Sequence, residues 1–188
     1  LLFWQFFSGA LTEVSNSLVA NTAILTKVYF PRIILPVSVV ATKFVDFLIS
    51  ALVLAGLMIY YNYFPQAEFI LVLPLALLIT FLSAIGLGLF FASINVKYRD
   101  VRYVLPFFIQ LLLFLTPVIY PLSLAGQYSL LLTVNPMTGV VEAVRATLFA
   151  NSAVDWQQLQ ISFLIAVALV ILGLFSFKKI EPAIADII

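Results

Sequence analysis

Apolar residues run through this chain in long stretches separated by short polar segments. Five stretches are candidate membrane spans: residues 1–19, 36–61, 69–93, 103–120 and 160–177. A span needs about 20 consecutive apolar residues, with a range of about 17–25. The first is the most polar, because Gly9, Thr12, Glu13, Ser15, Asn16 and Ser17 interrupt it. It reads as the end of a helix whose beginning is missing. Two shorter apolar runs, at about 122–134 and 136–150, lie between the fourth and fifth spans. Their length suits re-entrant or interfacial segments better than spans. Pro117 and Pro121 break the helix before them. Asn135-Pro136 then supplies an N-cap residue followed by proline at the first helical position. The pattern predicts an all-α integral membrane protein, a single transmembrane domain over residues 1–188, with five spans and a re-entrant pair of short helices.

Composition sharpens that reading. Hydrophobic residues make up 64% of the chain and charged residues 9%, against about 45–50% and about 25% in soluble domains. A chain this short has no core large enough to hide the excess, so its solvent is lipid. The net charge of +1 gives no support for nucleic-acid binding. There is no cysteine and no histidine. That removes disulfides, thiol nucleophiles, imidazole acid–base chemistry and the usual zinc and haem ligand sets. No signal-peptide pattern opens the chain, and its first residue is Leu1.

The cations give an orientation. Lys27 and Arg32 lie in one connection, Lys97, Arg99 and Arg102 in another, and Lys178 and Lys179 after the last span. The positive-inside bias assigns all three to the cytoplasm. The connection at 62–68 carries only Glu68 and belongs outside, where Tyr60, Tyr61 and Tyr63 suit the interface. The alternation closes only if residues 121–159 cross the membrane zero times or twice. The short helix pair therefore enters from the outside, with its cation Arg145 three residues after Glu142, at helix-neighbour spacing.

Several groups invite a functional reading. Asn21–Pro36, NTAILTKVYFPRIILP, combines Lys27, Tyr29, Phe30, Pro31 and Arg32 in one cytoplasmic connection. It is either a docking surface for a cytoplasmic partner or a set of ordinary topology anchors. The second connection, NVKYRDVR, packs Lys97, Tyr98, Arg99, Asp100 and Arg102 together. It is either a second contact or a charged turn that reaches lipid head groups. Glu13, Lys43 and Asp46 fall at similar depth, roughly 10–15 Å along adjacent antiparallel helices at about 1.5 Å per residue. An unpaired charge near the bilayer centre costs about 2.5–3.5 kcal/mol on insertion scales. Lys43 is therefore expected to pair with Glu13, Asp46 or both and to face protein; a proton relay would need further groups in the outer half. Ala84, Gly88 and Ala92 recur every four residues and let another helix approach closely. Phe90, Phe91, Phe107, Phe108 and Phe114 could line a sugar path, or simply face lipid and core.

Four stretches resemble one family in order: NSLVANTAILTKVYFPRIILP, INVKYRDVRYVLPFFIQLLLFLTPVIYP, VNPMTGVVEAVRATLF and the terminal EPAIADII. Together they resemble the ABC-2 permease subunits that export O-antigen, capsular polysaccharide or teichoic acid. The resemblance implies a six-helix fold, of which this chain shows five helices. It implies that Asn21–Arg32 is the coupling segment that seats on an ATPase subunit. It implies outer gate helices over 122–150, involving Pro117, Tyr120, Pro121, Asn135, Pro136, Glu142 and Arg145. The resemblance further implies a permease dimer with two ATPase subunits, a lipid-linked glycan or polyol-phosphate substrate, and a bacterial inner-membrane location with a cytoplasmic C-terminus. The chain lacks the phosphate-binding loop Gly-x4-Gly-Lys-Ser/Thr, so ATP and magnesium belong to the partner and no cofactor to this chain. An ABC-2 exporter of drugs or lipids, or a non-transporting membrane anchor, are the rival readings.

Overall fold

The computed structural model describes residues 1–22, 31–98, 100–120, 132–149 and 153–187. They form six helices: α1 (Leu2–Ala20), α2 (Ile34–Tyr60), α3 (Phe69–Lys97), α4 (Val101–Leu115), α5 (Pro136–Phe149) and α6 (Trp156–Ile187). Among the described residues there is no strand. Three helices are long and apolar enough to cross a membrane: α2, α3 and the first 27 residues of α6, Trp156–Pro182. They coincide with the expected spans 36–61, 69–93 and 160–177.

The other two expected spans fall on helices with weaker credentials. The 19 residues of α1 have the length, but Gln5, Thr12, Glu13 and Asn16 make it too polar. The 15 residues of α4 reach only about 22 Å at 1.5 Å per residue, short of a hydrocarbon layer about 30 Å thick. Its end has a local cause. Pro117 crowds the residue before it out of the helical region, and Thr116 is extended at φ −102°, ψ 131°.

The bundle is built around α3, which packs on α6, α1 and α5. Thr80, Ser83 and Ser93 are buried in it. Each hydroxyl donates to the carbonyl four residues back, at 2.7 Å, so no polar hydrogen is stranded. The α3–α6 crossing rests on two glycines. A Cβ on Gly86 would lie 2.5 Å from the Leu169 carbonyl carbon, and one on Gly173 would strike the Gly86 carbonyl oxygen. On the neighbouring face of α3, Ala84, Gly88 and Ala92 are buried, and a Cβ on Gly88 would strike the Val14 side chain of α1. The four-residue small stripe is thus an internal helix contact. Beyond it, Asn95 Nδ2 donates to the Ser15 carbonyl at 3.0 Å and to Asn16 Oδ1 at 3.1 Å.

α5 opens at Pro136, and Asn135 caps it: Oδ1 accepts the Met137 N–H at 3.0 Å. The Asn135 amide also donates to Thr116 Oγ1 at 2.7 Å, fastening α5 to the extended end of α4. The far end of α5 is held by the connection after α2. Gln66 N–H donates to the Thr147 carbonyl at 3.0 Å, and the Tyr63 hydroxyl donates to the Leu148 carbonyl. Of the other expected short helix, 122–134, only residues 132–134 are described; Pro121 and 122–131 lie outside the described residues.

Candidate functional site

Four groups of sequence-predicted residues occupy distinct places on this scaffold. At the basic end of the bundle, Lys27, Tyr29, Phe30 and Arg99 lie outside the described residues. Pro31 is exposed, while Arg32 is half-buried and donates through Nη1 to the Glu181 backbone carbonyl of α6. Sequence reasoning gives no hint of that link, since the partner is main chain 149 positions away. Lys97, Tyr98, Asp100 and Arg102 are all exposed or half-exposed. The Lys97 ammonium sits 5.2 Å from the Tyr98 ring centre. Asp100, Arg102 and Tyr103 share a groove of about 440 Å³ with Val19 and Thr22. The second basic connection therefore borders the end of α1, where the 21–36 segment begins.

The second group is the charge cluster. Lys43 Nζ lies 2.7 Å from Glu13 Oε1 and 3.3 Å from Asp46 Oδ2, joining α1 to α2. Within this chain the ammonium is the most enclosed part of the cluster. The Lys43 side chain is 24% exposed, against 48% for Glu13 and 60% for Asp46. Its aliphatic stem lies over Gly9, which leaves room for it. Gln5, Phe6, Phe47 and Ser50 join Lys43 and Asp46 around a groove of about 200 Å³. Sequence reasoning misses Gln5 and Ser50, although a signal exists: Ser38, Thr42, Asp46 and Ser50 recur every four residues on α2, and all are exposed.

The third group centres on Arg145. Its Nη1 donates to Glu142 Oε1 at 2.7 Å and to the Tyr120 carbonyl at 3.3 Å. Its Nη2 donates to the Pro117 and Val118 carbonyls at 2.6 and 3.1 Å. Once α4 stops at Leu115, the following carbonyls lack helical donors, and the planar guanidinium fork supplies them. Tyr120 turns back, its hydroxyl donating to the Phe114 carbonyl at 2.8 Å. Pro117, Tyr120, Asn135, Pro136, Glu142 and Arg145 thus form one connected junction between α4 and α5.

The aromatics do not form one face. Phe91 and Phe108 pack across the α3–α4 contact with ring centres 5.2 Å apart, and Phe90 meets Phe91 edge-on at 5.6 Å. Phe107 and Phe114 point away from the bundle on α4, 64% and 59% exposed.

Apolar helices able to span a bilayer, a basic end and a proline-broken junction at the other end define a multi-pass helical membrane protein. Residues 1–149 match the family described as ABC-2 type transporter. The chain belongs to the ABC-2 type transporter family. It is similar to O-antigen export system permease protein RfbA of Klebsiella pneumoniae, at 26% identity over 186 residues, covering 98% of this chain and 71% of the relative. It is also similar to the protein of the same name in Myxococcus xanthus, at 32% identity over 172 residues, covering 90% of this chain and 66% of the relative.

Proposed function

We propose that this chain is the membrane-spanning permease subunit of an ATP-driven exporter that moves a lipid-linked polysaccharide or polyol-phosphate polymer out of the cytoplasm. The observation that carries the reading is the family match across residues 1–149, together with relatives that are named O-antigen export permeases. In this reading α1 and α4 complete a five-span arrangement in the bacterial inner membrane, with the C-terminus in the cytoplasm. α5 is one arm of an outer gate. The permease performs no covalent chemistry. A separate ABC ATPase binds ATP and magnesium and seats on the segment containing Lys27, Tyr29, Phe30, Pro31 and Arg32. Lys97, Tyr98, Arg99, Asp100 and Arg102 flank that seat, and the groove that Asp100 and Arg102 share with the end of α1 supports their placement. Two permease copies enclose the path, with the α4 aromatics Phe107 and Phe114 available to it.

The test is genetic and biochemical together. Co-expressed with its ATPase in a bacterium deleted for its own polysaccharide export permease, the protein should restore polymer at the cell surface. Membrane-inserted, ATPase-bound protein that leaves the polymer inside the cell would overturn the reading.

A further inference from the structure

The Glu13–Lys43–Asp46 cluster poses a problem that pairing does not solve. α2 runs 27 residues from Ile34 to Tyr60, and Asp46 stands near its midpoint. Lipid there is a poor neighbour for a carboxylate, yet Asp46 and Glu13 turn outward from the bundle. Asp46 is accompanied by the exposed Gln5 on α1 and Ser50 on α2 around one groove, which Glu13 adjoins through Lys43. Among the described residues, α2, α3 before Lys97 and α6 before Lys178 hold no other charged side chain.

The chemistry of this seam selects an occupant. A sugar hydroxyl both donates and accepts hydrogen bonds. The groove offers carboxylate acceptors from Asp46, ammonium donors from Lys43 and an amide of both kinds from Gln5, and the Glu13 carboxylate adjoins it through Lys43. The Ser50 hydroxyl already donates to the Asp46 carbonyl at 2.9 Å, leaving its lone pairs to accept. The charge is not balanced: two carboxylates face one ammonium, leaving a net −1. A phosphodiester chain carries a negative charge at every unit and would be repelled along such a wall. An uncharged glycan is not.

We propose that the α1–α2 seam formed by Gln5, Glu13, Lys43, Asp46 and Ser50 is a water-filled wall of the export path that passes an uncharged, hydroxyl-rich glycan and disfavours a polyol-phosphate. The proposal rests on the exporter reading above and narrows its substrate class.

Residues 1–188 contain no cysteine, so a single cysteine placed among them is read against the unsubstituted protein labelled in parallel. In membranes carrying the permease with its ATPase, Ser50→Cys should react with water-soluble methanethiosulfonates. The cationic trimethylammonium reagent should react about tenfold faster than the anionic sulfonate, because the seam is negative. Leu52→Cys, 73% exposed and on the other side of α2, should react with neither. Asp46→Asn, which brings the seam to neutrality, should abolish the preference. In the restored strain, ongoing export of a neutral polymer should slow Ser50→Cys labelling several-fold relative to a strain that makes no polymer. An unreactive Ser50→Cys, whether buried under another helix or facing lipid, overturns the proposal, as does equal reactivity toward both reagents or labelling unchanged by export. Normal polymer export beside an unreactive seam retires the seam alone. A reactive, negative seam in a permease that exports nothing retires the exporter reading instead.

Discussion

Arg145 Nη1 lies 2.7 Å from Glu142 Oε1, one turn back on α5, and the same guanidinium closes on the Pro117, Val118 and Tyr120 carbonyls. One side chain thereby satisfies the main chain where α4 has lost its own donors. Hydrogen bonds to charged groups contribute about 1.5–3 kcal/mol each at most, and unsatisfied carbonyls add their own penalty. Arg145→Met should therefore lower the melting temperature in detergent by about 5–10 °C, taking about 2–4 °C per kcal/mol for a chain of this size. Arg145→Lys should recover only part of the loss, because an ammonium cannot reproduce the planar fork. Full recovery by lysine would show that charge alone matters at this junction.

Gly86 and Gly173 let α3 and α6 meet backbone to backbone. Helical glycine normally costs about 0.5–1 kcal/mol relative to alanine, so a glycine with open space around it should gain from replacement. A Cβ on Gly56 would have nothing within 4 Å, and Gly56→Ala should be neutral or slightly stabilising. Gly86→Ala and Gly173→Ala should each lose at least about 1–3 kcal/mol, the usual range for overpacking. Thermal unfolding of the three variants side by side gives the ordering directly, and a stabilised Gly86→Ala would contradict the crossing.

How much of this is legible in the residues follows from which physics is local. The three long apolar helices can be read because lipid solvation acts on every residue of a span. The start of α5 can be read too, because Asn135 and Pro136 act on their own neighbours. The Lys43 pairing with Glu13 and Asp46 follows from depth alone, whereas its outward face does not, since exposure depends on how α1 and α2 rotate. Arg145 is conspicuous for its spacing to Glu142. Its main-chain partners come from the collapse of α4 at Pro117, which sequence spacing does not encode. Gly86 and Gly173 are silent in the sequence because a glycine contact between distant helices leaves no periodic trace.

The topology has a sharper probe than the buried positions offer. Thr138 is fully buried, so a cysteine there would report packing and not sidedness. Val134 and Tyr103 are 65% and 77% exposed, at opposite ends of the bundle. In intact cells Val134→Cys should be labelled by a membrane-impermeant maleimide, and Tyr103→Cys only after permeabilisation. The reverse pattern would invert the proposed orientation and move the basic segments outside.

The basic segment at 21–36 carries the final prediction. Arg32 does not stand free at the surface, because its guanidinium donates to the Glu181 carbonyl of α6. α6 also holds the other end of the bundle, where Gln158 Nε2 donates to the Thr133 carbonyl at 3.4 Å and Ser162 Oγ accepts the Gly139 N–H at 3.2 Å. A push on the segment by an ATPase would thus reach the helix that carries α5. Two losses should separate. Arg32→Ala alone should leave the ATPase bound but reduce transport per ATP hydrolysed, because the link to α6 is cut while Lys27 and Phe30 remain. The triple replacement Lys27→Ala, Phe30→Ala, Arg32→Ala should weaken co-purification of the ATPase as well. Arg32→Ala should not unfold the apolar helices, since Arg32 lies outside both buried clusters. Export and ATPase retention at wild-type level in the triple variant would remove the coupling role from this segment and leave Lys27 and Arg32 as topology anchors.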